Sequence, residues 1–284
     1  MTGKMNASNT IIAAQLRDYY RSPPEQKQSF HEKTRCPLEL KKQLKTLGIP
    51  VHETAVDPAD FQQWRKSFPF MEDFYQKLGD VFIEKLLEHY LTFKYLDIKP
   101  GDRFIDVAAA GSPFADGLAE NGFDSYKLDI AYKEGVDGIR IGADGTDTQL
   151  SDCFADVLAL HCAYETFMGD ADWRFIREAE RVLKPEGRLG IVPLYLDPVF
   201  FNLTSPYCDQ NEVVMDDCAL RVWREDVYKE KFSRHYSPLA FHKRIFLRLT
   251  VLNARVLFFS NLDQLQEKFP GQRIYCHFML FAKK

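Results

Sequence analysis

Apolar residues along the first third of the chain recur at intervals of three and four. Leu40, Leu44 and Leu47 follow Pro37-Leu38 at helical spacing and stop at Gly48 and Pro50. Asp57-Pro58 has the form of an N-cap followed by proline in the first turn, which starts a second helix through Phe61 and Trp64. Phe74, Leu78, Val81, Phe82, Leu86 and Tyr90 carry the period on and predict the longest helix, from Met71 to Leu96, ahead of the turn Lys99-Pro100-Gly101-Asp102. Residues 1–95 therefore read as a helical cap region, and residues 96–284 as the core.

Beyond that turn the pattern changes to apolar runs of four to six residues alternating with helical stretches, which is the signature of βαβ units in a mostly parallel sheet. Phe104–Val107, Tyr126–Asp129, Ile139–Ile141, Ala155–His161 and Gly190–Leu194 read as successive strands, with helices at Phe114–Glu120 and Trp173–Leu183 between them. Two further runs, Leu249–Phe259 and Ile274–Phe281, are joined by a short connection and are expected to pair antiparallel. An insertion at about 196–248 separates them from the fifth strand. The fold class is α/β and Rossmann-like.

Composition narrows the function classes. A net charge of −4 gives no footing for nucleic acid or an anionic membrane. The six cysteines are scattered without metal-ligand spacing, so no metal is expected and a reducing compartment fits best. No stretch reaches the roughly 20 apolar residues of a membrane span, and the run Ile11–Ala14 is too short for a signal peptide. The expected location is cytoplasmic.

In an open α/β sheet, ligands lie beyond the carboxyl ends of the strands. The first strand ends in Asp106, followed by the small residues Ala108, Ala110 and Gly111 before a helix, where a ligand can approach the backbone closely. A tight turn with no ligand is the other reading. Asp129-Ile130 ends the second strand, where a carboxylate suits ribose hydroxyls. Asp144-Gly145 follows the third, as an adenine acceptor or as a plain Asp-Gly turn. His161 ends the fourth, with Glu165 four residues on, a spacing that shares a face if a helix begins there. His161 is the first candidate general base and His235 the second. There is no phosphate loop, zinc motif or G-x-G-x-x-G dinucleotide fingerprint.

Taken in order, Asp106, Asp129, Asp144-Gly145, His161 and the segment Arg177-Glu178-Ala179-Glu180-Arg181-Val182-Leu183-Lys184-Pro185-Glu186-Gly187-Arg188-Leu189 resemble the class I S-adenosylmethionine-dependent methyltransferases, of the methyltransferase type 11-like kind. The resemblance covers residues 95–195 by motif and 249–284 by architecture. It implies a seven-stranded sheet with an antiparallel last strand and S-adenosyl-L-methionine as cofactor. Asp106 and its turn would flank the methionine portion, Asp129 the ribose and Asp144 the adenine. The family has glycines at alternate positions after its first acid. Here those positions hold Ala108, Ala110 and Ser112, with Gly111 out of register. Each alanine adds a methyl and disfavours positive φ, which would weaken cofactor binding first and activity second. A degenerate protein of this fold, binding a nucleoside or a partner without transfer, is the alternative.

The insertion interleaves Tyr195, Tyr207, Trp223, Tyr228, His235 and Tyr236 with Arg221, Arg224, Lys229, Lys231 and Arg234. Such a set either lines a pocket for an anionic or saccharide-like acceptor or forms a solvated face over buried aromatics. Tyr164, Glu165, Tyr195, Tyr207, Arg234 and Tyr236 are the candidate substrate contacts, and the helix holding Tyr75 and Lys85 is expected over the cofactor. O- or N-methylation of a small molecule is the expected reaction, with nucleic acid unlike the acidic chain.

Overall fold

A computed structural model of the chain describes residues 36–224 and 231–284, so residues 1–35 of the expected cap, with the run Ile11–Ala14, and Tyr228 and Lys229 of the insertion lie outside the described residues. The chain divides into two compact units. Among the described residues, one comprises residues 50–164, 173–194 and 248–284, and the other residues 36–49, 165–172, 195–224 and 231–247. The division falls elsewhere than at residue 95, because the helices between residues 58 and 95 pack into the core of the sheet unit.

The sheet unit is built on eight strands: β1 (Val51–Thr54), β2 (Arg103–Val107), β3 (Asp124–Asp137), β4 (Arg140–Gly142), β5 (Ala155–His161), β6 (Leu183–Val192), β10 (Asn253–Phe259) and β11 (Phe278–Lys283). Their order is β1-β10-β11-β6-β5-β2-β3-β4. β11 runs antiparallel to both neighbours, as the short connection predicts. The eighth strand, β1, is a correction to the reading of residues 1–95 as helical throughout. Val51 to Thr54 add in parallel to the edge of β10, with Val51 opposite Val256.

Sequence patterning located β5 and α5 (Phe114–Glu120) residue for residue. The expected long helix from Met71 is broken instead. α3 (Pro69–Tyr75) passes into a short 3-10 turn in which Gly79 adopts φ 62°, and α4 (Phe82–Tyr95) starts afresh. β6 begins directly after α6 (Ala171–Val182), seven residues ahead of the expected strand. β3 overruns its expected end, and its residues 134–137 pair again with β4. That return passes so close to Gly142 that a Cβ there would lie 1.9 Å from the Lys133 carbonyl oxygen.

α2 (Pro58–Ser67) is capped by Asp57, whose side chain accepts from the Ala59 and Asp60 amides. Its Phe61 and Trp64 rings meet Tyr90 of α4 at 5.2 and 5.9 Å, and Trp64 reaches Phe114 at 6.3 Å. With Phe104, Val157 and Met279 beneath them, these rings form one apolar core. From β2 the chain moves outward to β3 and β4, and β5 then returns to the other side of β2. The strand order reverses there, which places the carboxyl ends of β2 and β5 at the usual ligand crevice of such sheets.

The second unit holds α1 (Pro37–Thr46), a three-stranded sheet and α7 (Pro238–Arg244). In that sheet β7 (Phe201–Thr204) lies between β8 (Leu220–Trp223), which is parallel to it, and β9 (Ser233–His235), which is antiparallel. Ser237 caps α7 by accepting from the Ala240 amide at 3.2 Å. Among the described residues no helix is long and apolar enough to cross a membrane.

Candidate functional site

The turn after β2 adopts the backbone that glycine would normally supply. Ala108 and Ala110 have φ of 54° and 41°, whereas Gly111, the one glycine of the turn, lies outside the positive-φ region. Left-handed backbone costs an alanine roughly 1–2 kcal/mol, so surrounding bonds must hold it. The Ala109 amide donates to the Leu128 carbonyl at 3.1 Å and the Ser112 amide to the Ala109 carbonyl at 2.7 Å. The Tyr132 hydroxyl donates to the Ala110 carbonyl. Buried Lys127 donates to the Ser112 carbonyl at 2.9 Å and pairs with Asp116, tying the turn to α5.

Asp129 completes the clamp. Its Oδ2 accepts from the Ala110 amide and its Oδ1 from the Ala131 amide, both at 2.8 Å. Each carboxylate oxygen retains a second lone pair, so the group can fix the turn and still accept from a ligand hydroxyl. Ile130 follows within β3 with 77% of its surface exposed, a bare apolar side chain. Asp144 closes its own turn by accepting from the Thr146 amide at 2.8 Å, while its side chain stays exposed and Gly145 is buried.

The structure joins Asp106 to His161, with Oδ1 and Nδ1 2.9 Å apart. His161 Nε2 meets the Thr92 hydroxyl of α4 at 2.8 Å, and its ring lies 4.1 Å from His89. Both imidazole nitrogens are thus engaged and the side chain is 5% exposed, which differs from the open position expected of a general base. The spacing to Glu165 brings no shared helical face, because His161 ends β5 and only a 3-10 turn, Tyr164–Thr166, follows. Asp106 Oδ2 is buried and has no hydrogen-bond partner among the described residues, and the same holds for His89 Nδ1.

The polar side of α4 supplies residues that the apolar periodicity did not single out. His89 Nε2 meets the Tyr75 hydroxyl at 2.8 Å, and that hydroxyl donates to Ser112 of the turn at 3.4 Å. Burial, then neighbouring His161 and Lys85, hold the His89 pKa well below its ordinary value, so its ring is neutral at pH 7. Lys85 donates to Glu88 at 2.9 Å and to Cys162 Sγ at 2.6 Å. Burial alone would lower the lysine pKa, but Cys162 and Glu88 beside it hold it well above the ordinary range. Lys85, Glu88, His89 and Thr92 follow one another at helical spacing, and that pattern in a buried helix was the available signal.

In the second unit, Arg234 is fully buried and all its nitrogens are engaged. Nε and one terminal nitrogen grip Asp216 at 2.7 and 3.1 Å, and the carbonyls of Phe167 and Gly169 accept at 2.5 and 2.9 Å. Asp172 lies 3.1 Å from the same guanidinium and also accepts from the Tyr236 hydroxyl at 2.6 Å and from Arg244 at 2.5 Å. Arg234 and Tyr236, expected to touch an acceptor, are thus members of a closed ion cluster. Tyr207 is 68% exposed, and Tyr195 places its ring 5.0 Å from His235. Tyr164 is buried in the sheet unit, 6.1 Å from Phe175, and Glu165 is buried in the second unit. His235 Nδ1 lies 2.9 Å from Asp197 Oδ2, a partner outside the expected set.

Residues 105–191 match the family model described as a methyltransferase domain. No curated protein matches the chain. Among solved structures it is similar to an S-adenosylmethionine-dependent methyltransferase from Mesorhizobium loti, at 16% identity over 65% of this chain and 92% of that one, with a TM-score of 0.43. It is also similar to the 1,6-didemethyltoxoflavin-N1-methyltransferase of Burkholderia thailandensis, at 13% identity over 83% and 93% of the two chains, TM-score 0.43. The PH0226 protein of Pyrococcus horikoshii is 21% identical over 46% of this chain, TM-score 0.34, and the match spans 61% of that protein. The matched segment 105–191 runs from β2 to β6 of the sheet, whose β11 stands antiparallel beside β6.

Proposed function

We propose that the chain transfers a methyl group from S-adenosylmethionine to a small-molecule acceptor. The observation that carries this reading is Asp106 Oδ2, a buried carboxylate oxygen without a donor among the described residues, beside a turn whose Ala108 and Ala110 adopt positive φ. A buried acceptor is rarely left unmet, and an ammonium group would complete it. The residues present fit the cofactor in three further respects. Asp129 retains lone pairs for ribose hydroxyls, Ile130 offers an apolar surface for a base, and exposed Asp144 keeps one oxygen outside its own turn.

The cofactor supplies a methyl group made electrophilic by a sulfonium centre. The protein's part is orientation, which can be worth roughly 7–11 kcal/mol of barrier. His161, held between Asp106 and Thr92, positions the Asp106 carboxylate and is not assigned a proton transfer. A small anionic or saccharide-like acceptor, methylated on oxygen or nitrogen, accords with the cationic and aromatic side chains between Tyr195 and Tyr236. Of these, exposed Tyr207 is the better contact, since Arg234 and Tyr236 are occupied.

The second reading, a binder without transfer, is favoured by the two alanine methyls in the turn and by the Tyr132 hydroxyl on the Ala110 carbonyl. Calorimetry with S-adenosylmethionine and S-adenosylhomocysteine is the first test, and failure of both to bind at millimolar concentration removes the enzyme reading. Binding with label transfer to a component of a metabolite mixture supports the enzyme. Binding with no transfer leaves the second reading.

A further inference from the structure

Ser233, His235 and Asp197 of the second unit stand in the arrangement of a nucleophile, its base and an orienting acid. Residues 233 and 235 alternate along β9 and so share one face of the strand. Ser233 Oγ is 3.3 Å from His235 Nε2, and His235 Nδ1 is 2.9 Å from Asp197 Oδ2. The imidazole is stacked on Phe201 at 4.4 Å and 16°, with Tyr195 tilted against it at 5.0 Å, which limits rotation of the ring out of this line. The Asp197 amide donates to the Tyr236 carbonyl and the Tyr236 amide to the Tyr195 carbonyl, so the backbone carrying the acid is tied to the segment after β9. A carboxylate on Nδ1 keeps the proton there and leaves Nε2 as the acceptor facing the hydroxyl.

We propose that Ser233 is an activated nucleophile that takes the acyl group of small carboxylic esters, with His235 as its general base and Asp197 holding the imidazole. In the first step Ser233 Oγ bonds to the ester carbonyl carbon while its proton passes to His235 Nε2. The bond to the leaving alkoxide then breaks and the imidazolium returns that proton to it, so an alcohol departs and an acyl-serine remains. Water repeats the exchange, giving the free acid and restoring the serine. Ser233 is 6% exposed, which restricts the acyl group to a compact one such as acetyl. This chemistry is independent of methyl transfer, and neither result decides the other.

The test uses the full chain with p-nitrophenyl acetate and with a small alkyl fluorophosphonate, read by nitrophenol release, intact mass and peptide mapping. A single adduct on Ser233 and a burst close to one equivalent are expected. His235→Gln should slow adduct formation by about 100-fold or more and Asp197→Asn by about 10-fold or more, with each variant's fold checked by circular dichroism. The proposal is overturned by folded wild-type protein that forms no adduct, by an adduct on another residue, or by a folded His235→Gln chain that labels at the wild-type rate.

Discussion

The two units each bury a dense set of charged and polar side chains, and the two sets are finished differently. Around Arg234, the donors and acceptors meet within the cluster: two carboxylates, two carbonyls, a tyrosine hydroxyl and a second arginine. Along α4 and the ends of β2 and β5, the chain Ser112–Tyr75–His89 and the chain Thr92–His161–Asp106 stop at atoms with nothing to bond. A closed set of this kind serves the fold, because nothing is left for a ligand. An open one costs folding free energy that a ligand can return. Completeness of hydrogen bonding therefore separates the structural cluster from the proposed ligand site better than residue type does.

The strongest way to break this contrast is Arg234→Met. It takes the buried guanidinium from between Asp172 and Asp216, leaving Arg244 as their cation, and a loss of about 3–5 kcal/mol is expected from removing one partner of a buried pair. Urea unfolding followed by tryptophan fluorescence measures it, and a loss below about 1 kcal/mol would make the cluster dispensable. The next effect concerns Glu84 of α4, whose Oε2 accepts from the Tyr275 amide at 2.9 Å. Burial, then neighbouring Glu88, push its pKa from 4.5 up to about 8. The folded chain keeps this proton to higher pH than the unfolded chain, so stability is greatest below the ordinary carboxyl value and falls as pH rises toward 8. A decline on the order of a few kcal/mol between pH 5 and 8 is expected. Glu84→Gln should flatten it, and an unchanged slope would place the titration elsewhere.

Asp129→Ala tests the open set directly. Affinity for S-adenosylhomocysteine should drop by about tenfold or more, near 1.4 kcal/mol, with the melting transition still cooperative. Equal affinity in calorimetry would detach Asp129 from the ligand. The smallest effect is expected from Ala110→Gly. Relief of the left-handed alanine is partly offset by glycine's freedom in the unfolded chain, leaving a gain of up to about 1 kcal/mol. Differential scanning calorimetry should show a modest rise in melting temperature, and a fall would mean that the alanine methyl is in favourable contact.

Strand ends were legible because period and punctuation are local: β5, α5 and the capping Asp57 were all located from a few neighbouring residues. β1 was not, since Val-His-Glu-Thr has no apolar alternation and becomes a strand only against β10. The polar seam of α4 escaped for a related reason. Helical periodicity marks apolar residues as inward, so Glu88, His89 and Thr92 read as neutral positions although all three are buried. His161 was recognised at its strand end, yet its partner could not be, because Asp106 is distant in sequence and Glu165 is near. Arg234 looked like an exposed cation because a basic residue in a strand carries no sequence mark of burial.

The four residues of β1 have a practical consequence for anyone shortening this protein. They cover the free edge of β10, while the opposite edge of the sheet ends in the three-residue β4. Cutting the chain at residue 95, where the sequence alone would invite it, would uncover the long edge of β10 together with the apolar face beneath α2 and α4. An exposed edge of that kind templates pairing between copies. Such a fragment would precipitate, and a start just ahead of Pro50 is the shortest that keeps the sheet edge sealed.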